Sequence, residues 1–271
     1  MKRLRFLYHM EIAFDMPVKE HHFTLKCFPR DNKRQYVESL AYDVWPKRFI
    51  SRSEDSFGNE CIYGLCEEPH REFMIDVNGI AECGHSDHES ECAKTEADIF
   101  KYQTEHTLPG KNIGSYHGEL LRVCPERHGT TSDRVRLYMN SLHKDYAYQS
   151  GSTQISTTAE EAFSQGCGVC QDFVHILLSL LRMDQIPCRY VTGMMLGEGL
   201  SHAWVEYFAA GKWIAVDPTN DVMVVDDHIR IAAGRDYRDC LINQGIFVGC
   251  DGKTEQKQSI RVHVEEAGSW I

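Results

Sequence analysis

The apolar run Ile176-Leu-Leu-Ser-Leu-Leu181, entered through Gly166-Cys-Gly-Val-Cys-Gln-Asp-Phe-Val-His175, constrains this chain more than any other stretch. Gln171 to Met183 favour helix, and Phe173, Val174, Leu177, Leu178, Leu180 and Leu181 leave that helix little polar surface. It must be buried nearly all round, so a domain has to be built over it. Gly166 and Gly168 suit a tight approach turn, which puts Cys170 in the helix's first turn. A thiol there meets unpaired backbone N–H groups and the positive end of the macrodipole, both of which favour the thiolate. Cys170 is therefore the candidate nucleophile.

A nucleophilic thiolate needs a base, and the base needs a group to orient it. Ser201-His-Ala-Trp-Val-Glu-Tyr207 alternates as a strand does, with His202, Trp204 and Glu206 on one face. Gly211-Lys-Trp-Ile-Ala-Val216 reads as its hairpin partner and ends at Asp217-Pro-Thr-Asn220, where proline stops the ladder. In an antiparallel hairpin the start of one strand lies near the end of the next, so His202 and Asp217 are expected as neighbours. Glu206 is a poorer partner for His202, being about 13 Å along the same strand.

Four pieces stand in order: Gly168-Val-Cys-Gln-Asp-Phe-Val-His175, Ile186-Pro-Cys-Arg-Tyr-Val-Thr-Gly193, Ser201-His-Ala-Trp-Val-Glu206 and Asp217-Pro-Thr-Asn220. Together they closely resemble the bacterial transglutaminase-like superfamily. The resemblance extends upstream through Thr153 to Glu160, and faintly to Pro17-Val-Lys-Glu-His-His-Phe23. It implies a papain-like Cys-His-Asp site on Cys170, His202 and Asp217, often preceded in bacterial members by a β-sandwich. Animal-type members use a tryptophan upstream of the cysteine as an oxyanion donor, and none occurs here between Pro46 and His202. The backbone N–H of Cys170 is the natural first donor; Gln154 or Gln165 is the available glutamine, and Trp204 could wall off the imidazole. The lack of the upstream tryptophan leans toward hydrolysis of a peptide or amide bond, with transfer to an amine, as in a protein-glutamine acyltransferase, as the alternative.

The chain of 271 residues has ample length for a core. A net charge of −11 without a basic stripe argues against nucleic acid or an anionic membrane as the main partner and leaves a peptide or protein substrate. No stretch approaches the ~20 apolar residues of a membrane span. His9, Glu11 and Asp15 interrupt any signal-peptide core after the charged start, so a soluble protein is expected. Eleven cysteines, an odd number, then point to reduced thiols in a cytoplasm.

Residues from Leu4 to about Ala81 look β-rich, in Phe6 to Phe14, His22 to Phe28, Tyr36 to Trp45 and Glu72 to Val77. Pro29 to Asn32, Ser56 to Asn59 and Asn78-Gly79 give turn signals between them. The fold expected is α+β: an antiparallel β-sandwich at 1–94, then a transglutaminase-like catalytic domain at 95–271. Thr95 through Gly118 shows little periodicity and reads as the join. Gly129-Thr-Thr-Ser132 can cap a helix over Asp133 to His143, and Thr157-Thr-Ala-Glu160 has capping-box form before a short helix to Phe163. After Asp217, Asp226-Asp-His-Ile-Arg230, Gly234 to Asp239 and the strand-like Ser259 to Val264 are expected to complete the catalytic sheet and one rim of its cleft.

Other readings compete with catalysis. Cys83, His85, His88 and Cys92 are four possible zinc ligands in a ten-residue stretch, though not at a standard spacing, and a solvated acidic loop explains them as well. Cys167 and Cys170 form C-x2-C, which suits redox or metal chemistry, but an acidic helix and a glycine turn precede it rather than a strand. A non-catalytic binding scaffold is the remaining alternative, opposed by the presence of all three chemical residues. His175 is expected as a core histidine and Asp172 as a helix cap. No EF-hand calcium loop occurs, and neither a metal nor another cofactor is expected.

Overall fold

A computed structural model describes residues 1–46, 49–84, 97–123, 129–249 and 254–268. The protein is α+β and antiparallel in both of its main sheets. Its longest strand, β1 (Lys2–Leu25), buries Leu4, Phe6, Tyr8, Met10, Ile12 and Phe14 in strict alternation. Up to Phe14 it lies between β5 (His70–Cys83) and β15 (Gln256–Glu266). Past an irregularity between Ala13 and Val18 it passes into a second layer, pairing with β4 (Glu60–Cys66) and β14 (Asn243–Val248). β2 (Gln35–Trp45) flanks β5, β3 (Phe49–Glu54) flanks β4, and β9 (Gly197–Gly199) flanks β15. One strand thus joins the two layers of a sandwich.

Two expectations change here. The strand at Ser259 to Val264 belongs to β15 and completes the first sheet, not the catalytic one. β14 and β15 both pair with β1, so residues before 94 and after 243 share that sheet. Asn78 and Gly79 do not form a turn, since both lie within β5. A Cβ on Gly79 would stand 2.1 Å from the Ser39 carbonyl and 2.8 Å from the Phe6 ring, so glycine is needed there for close packing.

The second sheet runs β12-β11-β10-β8-β13: β8 (Cys188–Met195), β10 (His202–Ala209), β11 (Lys212–Asp217), β12 (Val222–Met223) and β13 (His228–Gly234). Helices α1 (Lys111–Val123), α2 (Thr131–Asp145) and α3 (Ala159–Gln165) precede α4 (Cys170–Met183), the central helix expected from its apolar run. Residues 172 to 182 of α4 are all buried, against β8 and β10 on one side and the other helices elsewhere. The core is continuous from the sandwich through α4.

β13 is the edge of the second sheet, and two side-chain amides from the sandwich close that edge. Gln35 accepts from the Arg230 N–H (2.7 Å) and donates to the Arg230 carbonyl (3.0 Å). Asn59 does the same at Ala233, at 2.8 and 2.9 Å. Both are buried, and each substitutes for a neighbouring strand. Replacing Gln35 by leucine strands one buried donor and one acceptor. The expected loss is about 2–4 kcal/mol, read as a lower urea midpoint at unchanged m.

Candidate active site

Cys170 begins α4, and the approach to it is fixed on all sides. α3 ends at Gly166, whose φ of 74° is left-handed and suits glycine. β7 (Cys167–Gly168) then pairs in parallel with β6 (Ala147–Tyr148). A Cβ on Gly168 would meet the Tyr146 hydroxyl at 2.3 Å and Asp172 Oδ2 at 2.5 Å, so no other residue fits. Asp172 Oδ2 accepts from the Val169 N–H (2.7 Å) and the Thr153 hydroxyl (2.6 Å), the capping role expected of it. Burial pushes its carboxyl above the usual range. Helical bonding starts with the amides of Asp172 and Phe173, both donating to Val169 O, so Cys170 stands at the open end of the helix.

His202 opens β10 and Asp217 closes β11, and hairpin pairing sets them side by side. His202 Nε2 lies 2.7 Å from Asp217 Oδ2. Nδ1 is left for Cys170, which also acts on the ring to raise its pKa. Burial alone would lower the imidazole's pKa, but the bonds to Asp217 and Cys170 outweigh it and hold it up at about 10. His202 is therefore an imidazolium at neutral pH. Asp217 is fully buried, which by itself raises its pKa, yet its hydrogen bonds hold the carboxyl well below the usual carboxylate range. Its Oδ1 accepts from the amides of Thr219 (2.9 Å) and Asn220 (3.3 Å), its Oδ2 from the Asn220 side chain (2.6 Å).

The sequence reading missed one member of this cluster. His228, the first residue of β13, places Nε2 3.4 Å from Asp217 Oδ2 and Nδ1 2.7 Å from Asp227 Oδ1. The strand pattern of His228-Ile-Arg230 was its only local signal.

The secondary candidates separate. Gln154 lines a cleft of about 470 Å³ with Ile155, Tyr237 and Leu241. The Gln171 side chain donates to the Ile155 carbonyl (3.2 Å), tying that cleft to the first turn of α4. Burial raises the Tyr237 hydroxyl's pKa, and the nearby Cys170 adds to the effect. Gln165 is exposed at the far end of α3 and does not line this cleft. Trp204 is 2% exposed, edge-on to His228 at 5.1 Å, and does not line this cleft. Glu206 pairs with Arg189 at 2.5 Å and Arg230 at 3.5 Å, not with His202. His175 is a core histidine whose Nε2 accepts from the Tyr237 N–H (3.3 Å).

Of the proposed metal cluster, Cys83 ends β5, its thiol pushed up to about 12 by burial; His85, His88 and Cys92 lie outside the described residues. All eight described cysteines are free, Cys167 and Cys170 among them.

A thiol at the open end of a buried helix, facing a histidine and an aspartate on an antiparallel sheet, defines a papain-like class of Cys-His-Asp protein. Residues 122–218 match the core of the transglutaminase-like superfamily, and residues 4–82 match the bacterial transglutaminase-like N-terminal region. The core match spans Cys170, His202 and Asp217. An uncharacterized protein of Mycobacterium leprae is 26% identical over 269 residues, covering 92% of this chain and 94% of that protein. An uncharacterized protein of Mycobacterium tuberculosis is 29% identical over 251 residues, covering 81% and 79%. A candidate cysteine protease from Cytophaga hutchinsonii, at 18% identity, superposes over 100% of this chain and 93% of its own with a TM-score of 0.77, and so shares the fold. No helix among the described residues is long and apolar enough to cross a membrane.

Proposed function

We propose that this protein is a thiol hydrolase that cleaves a peptide or amide bond through a thioester on Cys170. The observation carrying this reading is the row Cys170, His202, Asp217, with a 2.7 Å bond between the last two. In the first half-reaction the Cys170 thiolate attacks the carbonyl carbon. His202 gives its proton to the leaving nitrogen as the C–N bond breaks, and the thioester remains. In the second half-reaction neutral His202 takes a proton from water, whose oxygen attacks the thioester and releases a carboxylic acid and Cys170. Asp217 holds the ring and balances its charge in both. The Cys170 N–H, at the open end of α4, is aligned to take part of the oxyanion charge, and Gln154 is the better placed of the two glutamines to assist. Six of the eight described free cysteines are buried, which suits the reducing cytoplasm proposed for this protein.

The test is incubation with unfolded casein in the presence of a fluorescent primary amine, followed by mass spectrometry, with Cys170→Ala as control. New termini or deamidated side chains that depend on Cys170 support the hydrolase. Incorporation of the amine without hydrolysis moves the assignment to acyl transfer. Products equal in the Cys170→Ala control would dismiss both.

A further inference from the structure

The His228 side chain is 1% exposed and wedged between two carboxylates, Asp217 at 3.4 Å and Asp227 at 2.7 Å. A neutral imidazole has one donor nitrogen and one acceptor. The shorter contact commits Nδ1–H to Asp227, so a neutral ring would turn a lone pair toward Asp217 Oδ2, which is already the acceptor for His202 and Asn220. Only a ring that donates from both nitrogens satisfies both contacts. Two histidine rings, 5.7 Å apart by their centroids, share that one buried carboxylate.

We propose that His228 is a positioning residue for the row Cys170, His202, Asp217: a second donor and second positive charge on Asp217 that moderates how tightly His202 keeps its proton. The proposal rests on the catalytic reading above. Three features support it. β13 cannot drift, because Gln35 and Asn59 bind its outer edge. The Trp204 ring blocks the ring edge-on at 5.1 Å. And the bond from His228 is among those that keep Asp217 ionised. The charged groups around the ring are Asp217 on β11, His202 on β10 and Asp227 beside it, with Arg34, Glu206 and Arg230 across a cavity of about 20 Å³. Glu206 is neutralised by Arg189 and Arg230, which leaves Asp217 and Asp227 as the carboxylates that act on His228. A like charge on Asp217 works against the charged form of His202, and it does so without touching substrate.

The experiment compares alkylation of Cys170 by iodoacetate and by iodoacetamide against pH, in wild type, His228→Gln and His228→Phe, with peptide mapping. The anionic reagent is favoured while His202 is charged, so the upper limb of the iodoacetate-to-iodoacetamide ratio reports loss of that proton. Glutamine keeps a donor but no charge, and the limb should rise by roughly one pH unit. Phenylalanine removes both, and the rate at neutral pH should also fall roughly tenfold or more as Asp217 loses its brace. If His228→Phe does not fold, the glutamine variant decides by itself. A limb that stays in place or moves down in His228→Gln overturns the proposal. A wild-type protein with no preferential reaction at Cys170 and no upper limb defeats the catalytic reading itself, an outcome visible before any variant is measured.

Discussion

His202→Ala slows alkylation of Cys170 by iodoacetamide at pH 6 by about 10²-fold and lowers turnover of any substrate by about 10²–10⁴-fold. The reason is charge balance at the head of α4. In the wild type the imidazolium keeps its proton up to about 10 and lies against the thiol, so the attacking form of Cys170 is matched by a fixed positive charge. Alanine removes that charge and the hydrogen bond together, leaving only the helix end. The gap between the two proteins should be widest at acid to neutral pH and narrow toward pH 10, where His202 gives up its proton in the wild type too. The measurement is clean because Cys27, Cys61, Cys66, Cys83, Cys188 and Cys240 are buried, with burial pushing the thiols of Cys83 and Cys188 up to about 12 and 11. Only Cys167 and Cys170 are half-exposed among the described cysteines, and mass mapping separates their labels. Equal rates in the two proteins would mean that Cys170 and His202 do not form a working pair.

What could be read from sequence was what neighbouring residues decide among themselves. α4 announces itself because its apolar residues fill its whole circumference. α2 carries its own capping box, Thr130 with Asp133, and the β10–β11 hairpin turns on Ala210 and Gly211, both at positive φ. Cys170, His202 and Asp217 each mark the end of an element, so their places were visible locally. What escaped depends on distant partners. α1 lay unseen in the stretch Thr95 to Gly118 because its first amides are capped from another helix: Glu160 accepts from Gly110, Asn112 and Ile113 at 2.8–3.0 Å. The same loan displaces the expected capping box of α3 by one residue, to Thr158 with Glu161. β15 reads as a strand but gives no sign that its partner is β1 at the opposite end of the chain. His228 escaped for a similar reason, since it meets Asp217 only because β13 pairs with β8, His228 opposite Met195.

Asp217→Ala should cost about 3–5 kcal/mol of stability and about 10³–10⁴-fold in turnover, and the two losses share one origin. The carboxylate is fully buried and accepts from His202, His228 and Asn220 and from the amides of Thr219 and Asn220. Removing it leaves buried donors unpaired and His202 without a counter-charge. Burial, the largest influence on His202, then acts unopposed by Asp217 and drives its pKa down, so the ring is neutral at pH 7 and cannot protonate a leaving amine. The pH dependence of the stability loss follows from both partners. Asp217, depressed in the fold, contributes fully above its unfolded pKa of about 3.9, and this is lost as pH falls through its folded value. His202, raised to about 10, contributes fully below its unfolded value of about 6.5, and this is lost as pH rises through about 10. The difference between wild type and Asp217→Ala should therefore be largest between about pH 4 and 6.5 and shrink steadily toward pH 10. Urea denaturation across that range checks it. A difference that is flat, or grows with pH, would mean that the His202–Asp217 pair is not charged in the folded protein, and Asp217 would then act as a hydrogen-bonded turn residue rather than as the partner that keeps His202 protonated.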